Sequence, residues 1–330
     1  MLNKQAASCA VTLCIAAGTF CASGSASAEY PEKPVTLVVP FVAGGPSDKI
    51  ARDVAEAMRK TLGQTVVVEN TAGAGGTIGT ARVARAAPDG YTLLVHHIGL
   101  ATAPSLYKKL GYKTADLEFL GLVNEAPSTL IGRPSLPPNA LPDLRKFIAE
   151  NGGKLNLANA GVGSASHLCG LMLQSAFKSN MTFVPYKGTA PAMSDIMGGQ
   201  VDLMCEQATN STPQIEAKKV KAYGVTSAQR SPVPALASIP TLNEAGLTGF
   251  NFTVWHGLYA PRGTPPAVLA KINTALRAAL KDPALIQREE ALGVMVVGDD
   301  RLSPAGHKKF FEGEASRWSK IIQDAGIQPE

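Results

Sequence analysis

Apolar positions along the chain fall into two blocks, each alternating strand with helix signals. Val35-Thr-Leu-Val-Val-Pro-Phe41 is a continuous apolar and β-branched run. That is the pattern of a strand buried on both faces of a parallel sheet. Residues 42–48 turn, and Ser47 or Asp48 is placed to cap a helix in which Ile50, Val54 and Met58 recur at helical spacing. Residues 64–69 read as a second strand, 70–77 as a glycine-rich turn and 78–87 as a helix. A third strand, 91–95, ends at His96 and His97.

The same grammar restarts downstream. Residues 155–158 read as a strand, 159–166 as a Gly/Ser turn, 167–177 as a helix and 182–186 as a strand. Pro191 suits the first turn of the next helix, and strands follow at 201–205 and 222–226. The Pro-rich stretch 133–142 reads as a connection. Residues 250–258 read as a strand and 260–266 as a loop. A helix over 268–280 carries Leu269, Ile272, Leu276 and Leu280 on one stripe, and a last helix covers 305–325. There is no tandem repeat. The expected fold is α/β: two lobes of mixed, mostly parallel sheet flanked by helices, with a ligand cleft between them. Lobe one is 29–125 plus 254–330, and lobe two is 126–253, with crossings near 120–130 and 253–259.

The first 28 residues set an address. They carry one charge, Lys4, then an apolar stretch over 10–22 and a small-residue run ending Ala26-Ser27-Ala28. This is the layout of a cleaved secretory signal, with cleavage after Ala28. The apolar core is shorter than the roughly 20 residues that span a bilayer. Cys21 follows Phe20, not the small residues that a lipid-tethered cysteine needs. Cys169 and Cys205 remain after cleavage. A lone pair in an oxidising compartment reads as a disulfide; the other reading is two buried thiols. No Cys-x-x-Cys or Cys/His cluster suggests a metal.

The chain without its leader, about 300 residues, makes one large or two ordinary domains. Apolar residues are 45% and charged residues 17%, with a formal net charge of +5, or +4 without Lys4. That balance is mild and dispersed, with no Lys/Arg run, so nucleic acid is not an expected partner. It suits a small anionic ligand.

Candidate chemistry sits in two turns, 43–48 and 161–166, each joining a strand to a helix. Helix N-termini carry unpaired N–H groups and partial positive charge, glycine admits a ligand close to them, and Ser47, Ser164 and Ser166 add hydroxyls. Such turns are anion sites. Asp48 is either a ligand contact or a helix cap. Enzyme signatures are missing: Gly73-Ala-Gly75-Gly-Thr-Ile-Gly79 has the wrong spacing for a dinucleotide fingerprint, and there is no GxSxG elbow or Walker lysine. His167 beside Ser164 and Ser166 fits a helix start better than a nucleophile. No catalytic residue, metal or cofactor is assigned.

Taken in order, several segments carry a resemblance. They are Pro40-Phe-Val-Ala-Gly-Gly-Pro-Ser-Asp48, Asn70-Thr-Ala-Gly-Ala-Gly-Gly-Thr-Ile-Gly79, Pro88-Asp-Gly-Tyr-Thr-Leu-Leu94 and Gly161-Val-Gly-Ser-Ala-Ser-His-Leu168. Pro185-Tyr-Lys-Gly-Thr-Ala-Pro191, Gly199-Gln-Val-Asp202, Pro240-Thr-Leu-Asn-Glu-Ala-Gly246 and Gly257-Leu-Tyr-Ala-Pro-Arg-Gly-Thr-Pro265 complete the set. Together they resemble the solute receptors of tripartite tricarboxylate transporters, the Bug receptors. The resemblance implies a periplasmic binding protein of type II-like, two-lobed form. It would be a monomer that closes over a small carboxylate and presents it to an integral-membrane permease. It also implies that Val42, Ala43, Gly44, Gly45, Ser47 and Asp48, and opposite them Gly161, Gly163, Ser164, Ala165 and Ser166, hold carboxylates, partly through water. Gly75, Gly76, His97 and Asp202 would line the same cleft. Many relatives have small hydroxyl residues where His96-His97-Ile98 stands here. A cleft-facing imidazole makes an aromatic dicarboxylate such as terephthalate a candidate beside linear dicarboxylates and citrate. Neighbours on a strand face opposite ways, so only one of the two histidines is expected there. A sensory receptor with a kinase partner and an exported hydrolase are the alternative functions.

Overall fold

The computed structural model describes residues 29–329; the signal reading of residues 1–28 lies outside them. Among the described residues ten strands form two sheets that share one long strand. In chain order they are β1 (Val35–Val39), β2 (Val66–Asn70), β3 (Thr92–His97), β4 (Leu117–Gly132), β5 (Asn156–Asn159), β6 (Thr182–Pro185), β7 (Leu203–Gln207), β8 (Lys221–Val225), β9 (Thr253–Pro261) and β10 (Met295–Val296). The first sheet runs β2-β1-β3-β9-β4-β10, with β1, β2 and β3 parallel and β9 antiparallel to both neighbours. The second runs β6-β5-β7-β4-β8, with β5, β6 and β7 parallel.

Strand β4 passes from one sheet to the other within one peptide step. Pro127 is the last residue paired with β9, opposite Thr253, and Ser128 is the first paired with β7, opposite Gln207. Proline has no N–H for a ladder, so it sits where pairing changes hands. Register shifts between Phe119 and Gly121 and between Leu122 and Asn124 bend the strand before the crossing.

Helices follow the C-terminal ends of the parallel strands. Pro46–Leu62, Thr77–Ala84 and Gly99–Leu106 follow β1, β2 and β3, and Ala165–Phe177, Thr189–Met197 and Ala208–Glu216 follow β5, β6 and β7. The core of the first sheet includes the fully buried Trp255 and Trp318, and that of the second is built on Ile131, Ala158, Ile196 and Met204. Cys169 and Cys205 are joined by a disulfide, with Cα atoms 6.0 Å apart.

Three local expectations shift. The strand expected over 250–258 is Thr253–Pro261, because its whole length pairs with β4 as far as Leu117 opposite Pro261. The Pro-rich connection gives way to a helix, Leu141–Asn151, which buries Leu141, Leu144 and Ile148. The first helix is not capped by Ser47 or Asp48: Gly45 is its N-cap and Pro46 its first residue, where a fixed φ and a missing N–H do no harm.

Candidate functional site

The C-terminal ends of β1, β3, β5 and β7 converge on one cavity of about 30 Å³. Its walls come from both sheets. The first sheet supplies Phe41, Val42, Gly45, Pro46, Ser47 and His97; the second supplies Ala160, Ser164, Ala165, Ser166, Thr189, Glu206 and Gln207. Among the described residues no lysine or arginine lines it.

Positive potential comes instead from two helix N-termini. In the helix Pro46–Leu62 the first i→i−4 bond is Lys49 N to Gly45 O at 3.1 Å, so the amides of Ser47 and Asp48 precede the ladder. In the helix Ala165–Phe177 the first is Leu168 N to Ser164 O at 3.0 Å, and the amides of Ala165 and Ser166 precede it. Each helix adds about half a positive charge at that end.

Hydroxyl directions can be worked out from their partners. Ser164 Oγ accepts from His167 N at 3.2 Å, Ser166 Oγ accepts from Ala160 N at 2.9 Å, and the two oxygens are 3.1 Å apart. That contact uses one of the two O–H groups and leaves the other for a ligand. Ser47 differs. His256 Nδ1 lies 3.0 Å from Asn124 Oδ1, which only accepts, so Nδ1 carries the hydrogen. Burial holds the His256 imidazole neutral, well below its usual pKa. Its Nε2 is therefore a lone pair, and Ser47 donates to it at 3.0 Å. Ser47 is left with only acceptor capacity towards the cavity.

His97 is also neutral, with its pKa pushed down to about 3 by burial. Its Nδ1 accepts from Gly99 N at 2.8 Å, which makes Nε2 the N–H donor. Phe41 stacks on the ring, with centroids 4.5 Å apart, and His96 and His256 meet it edge-on. His96 turns the other way, beneath Gly76 and Phe41.

Beside this cavity lies a second, of about 230 Å³, which shares Phe41 and Ala160 and is lined by Gly75, Gly76, Tyr107, Gly161, Val162, Tyr186 and Lys187 among others. Here the sheets touch: Tyr107 Oη donates to Val162 O at 2.7 Å. Gly75, at φ +60°, is packed so tightly that an added Cβ would fall 2.0 Å from Val162 O.

Five of the expected residues serve the turns and strands without lining either cavity. Asp48 accepts from Gly44 N (2.9 Å), from Asn70 Nδ2 (2.9 Å) and from Arg52 through both oxygens. It pins the first turn, and although burial opposes the charge, these partners hold its carboxyl below the usual range. Gly163 donates to His167 Nδ1 at 3.3 Å, and Ala43 and Gly44 shape the first turn. Asp202 precedes β7 at the end remote from the cavity, a strand length of about 16 Å away. There it pairs with Arg133 and accepts from Asn156 N, each at 2.9 Å.

Residues 50–327 match the model of the tripartite tricarboxylate transporter family receptor. The chain belongs to this receptor family. An Agrobacterium vitis protein named for the TAR-I ttuE-ttuC′ intergenic region is 47% identical over 298 residues, covering 90% of this chain and 86% of the relative. The solved structure of the periplasmic binding protein BugD is 50% identical with a TM-score of 0.88, covering 91% of this chain and all of that one. MatC from Rhodopseudomonas palustris, solved with bound malate, is 40% identical with a TM-score of 0.85, covering 89% and 100%.

The receptor thus has the fold of the periplasmic binding proteins, and its family is one of receptors, not enzymes. The Ser47–His256–Asn124 string has the donor order of a nucleophilic triad, yet in a receptor it fixes the hydroxyl direction of a cavity-lining residue. The pair suspected from sequence, His167 with Ser164, meets through the His167 backbone and not its ring. No described helix of the receptor is long and apolar enough to cross a membrane.

Sequence reading missed Phe41, Pro46, Ala160, Thr189, Glu206 and Gln207 as lining residues. A signal for the last two existed: an acid and an amide close the apolar run Val201-Asp-Leu-Met-Cys205, at the strand end where α/β sheets bind ligands.

Proposed function

We propose that this chain is exported to the periplasm by residues 1–28, cleaved after Ala28, and there captures a short aliphatic dicarboxylate as a monomer for a membrane permease. The observation that carries this is the convergence of two helix N-termini, one from each sheet, on a cavity without a cationic side chain. Dipoles and hydroxyls then hold the anion, at little desolvation cost compared with burying an ammonium or guanidinium.

The lobes are 29–125 plus 254–330 and 126–253. A cavity of about 30 Å³ has room for one or two water molecules, so a ligand enters when the lobes part. The Pro127 and Thr253 crossing is the hinge in this reading. The Gly99 amide makes His97 a donor through Nε2, and three rings packed around it leave little ring face for stacking. That supports a short chain over terephthalate, as does the malate bound to MatC.

A thermal-shift and calorimetry panel of malate, succinate, citrate and terephthalate tests the proposal. Ligand at a hundred times its Kd should add about 2.7 kcal/mol of stability, and the ligand should be recovered intact. Failure of every carboxylate, or consumption of one, sinks the receptor reading. Preference for terephthalate overturns the size argument alone.

A further inference from the structure

Glu206 is the penultimate residue of β7, is 2% exposed and lines the cavity, yet its Oε1 has no hydrogen-bond partner. A buried carboxyl oxygen left unpaired is costly, and here it stands among groups that bind an anion. Its surroundings on every side are short of charge. From the helix Pro46–Leu62 comes Lys49, whose ammonium is spent on Asn210 Oδ1 at 2.9 Å. The helix Thr189–Met197 brings the Thr189 hydroxyl, and the N-terminal end of the helix Ala165–Phe177 brings Ser166 and the N-cap Ser164. Across the cavity β3 offers the neutral His97, and β4 places the uncharged Thr129 beside it. Residue 205 is locked in the disulfide. Burial outweighs the Gln207 amide, Lys49 and Thr189, and pushes the Glu206 carboxyl up to about 8.

An ionised Glu206 would repel the ligand this cavity is built for, whereas a protonated one completes it. We propose that Glu206 is a specificity-determining residue that meets the ligand as a neutral carboxylic acid and donates a hydrogen bond from its unpartnered oxygen to a ligand carboxylate. This rests on the carboxylate reading above. Below about pH 8 the free acid already holds this proton; above it the proton is taken from solvent as the ligand binds and returns to solvent when the ligand leaves, so capture is coupled to proton uptake only on the alkaline side. The sign follows from linkage. The ligand raises the affinity of Glu206 for its proton, so binding is flat with pH where the free acid is already protonated. Affinity then falls about tenfold per unit as pH rises beyond about 8.

Calorimetry on the leaderless chain tests this, with malate and succinate titrated between about pH 6 and pH 9.5 in buffers of different ionisation enthalpy. Wild type should take up close to one proton near pH 9 and almost none near pH 6. Glu206→Gln keeps an N–H donor and removes the titration, so its affinity should be level across the range with no uptake. Glu289, held up to about 7 behind Asn124, titrates in both proteins and cannot mimic the difference. Wild-type binding without proton uptake, affinity that rises with pH, or a Glu206→Gln protein that keeps the alkaline decline each overturns the proposal. If Glu206→Gln does not fold, the wild-type proton count alone decides. Wild type that binds neither malate nor succinate at pH 6 overturns the short-dicarboxylate reading and this proposal with it.

Discussion

Ser47 Oγ lies 3.0 Å from His256 Nε2, and the hydroxyl is the donor. Asn124 sets this direction from 132 residues away in sequence by accepting from the other ring nitrogen. Ser47 therefore cannot offer its hydrogen to a carboxylate, but it can accept one from a hydroxyl on the ligand. Ser47→Ala should weaken malate relative to succinate by about 1 kcal/mol, roughly fivefold. The Ser164→Ala, Ser166→Ala double variant should weaken both alike by tenfold or more, since it removes a charge-assisted donor. Calorimetric Kd values for the two ligands check this. Equal losses for malate and succinate in Ser47→Ala would refute the hydrogen direction.

The buried histidines give the stability a defined pH dependence. All five, His96, His97, His167, His256 and His307, lie in the folded core and are held neutral, with His97 and His307 pushed to about 3 and His167 to about 4. In the unfolded chain each takes a proton near 6.5. As pH falls below that value the unfolded state binds protons that the native state refuses. Stability then drops by up to about 1.4 kcal/mol per group per pH unit. Glu206 and Glu289 act in the opposite sense: raised to about 8 and about 7, they lower stability as pH climbs from the usual carboxyl range to those values. Five groups outweigh two on the acid side, and only the two acids act above 6.5. The melting temperature should peak near pH 6.5 and fall more steeply towards acid. Calorimetric scans from about pH 4 to pH 9 check it; a level profile between pH 4.5 and 6.5 would rule the argument out.

What the chain disclosed beforehand follows from where its information is local. Val35-Thr-Leu-Val-Val and the two Gly/Ser turns are continuous signals, so β1, the turns and the helices after them could be placed from periodicity and turn chemistry. Strand β4 could be seen only as a crossing. Its buried stretch includes Asn124, Pro127, Ser128 and Thr129, which spoil an apolar pattern and are tolerated because pairing partners in two sheets satisfy them. His256 was equally hidden. It meets Ser47 across 209 residues, and no spacing rule connects such a pair. Asp48 shows the converse: its position in the turn was evident, but its saturation by Gly44, Arg52 and Asn70 is a property of the folded neighbourhood.

Gly75 offers the sharpest test of closure. Its φ of +60° favours glycine, and an added Cβ would meet Val162 O at 2.0 Å and Tyr107 Oη at 2.6 Å, the same pair that hydrogen-bond between the sheets. Neither can retreat without separating the turn 73–76 from the turn after β5. Gly75→Ala should therefore hold the lobes apart and weaken ligand binding at least tenfold, with a melting temperature close to that of Gly63→Ala. Gly63 is the matched control: it has a similar φ, +72°, at a helix C-cap with nothing within 4 Å of an added Cβ. Both variants carry the same left-handed backbone penalty of about 1 kcal/mol, and only one carries the clash. Isothermal titration with the tightest ligand of the panel, beside thermal melts, separates the two effects. Wild-type affinity in Gly75→Ala, or an equal loss in Gly63→Ala, would show that contact between these turns has no part in holding the ligand.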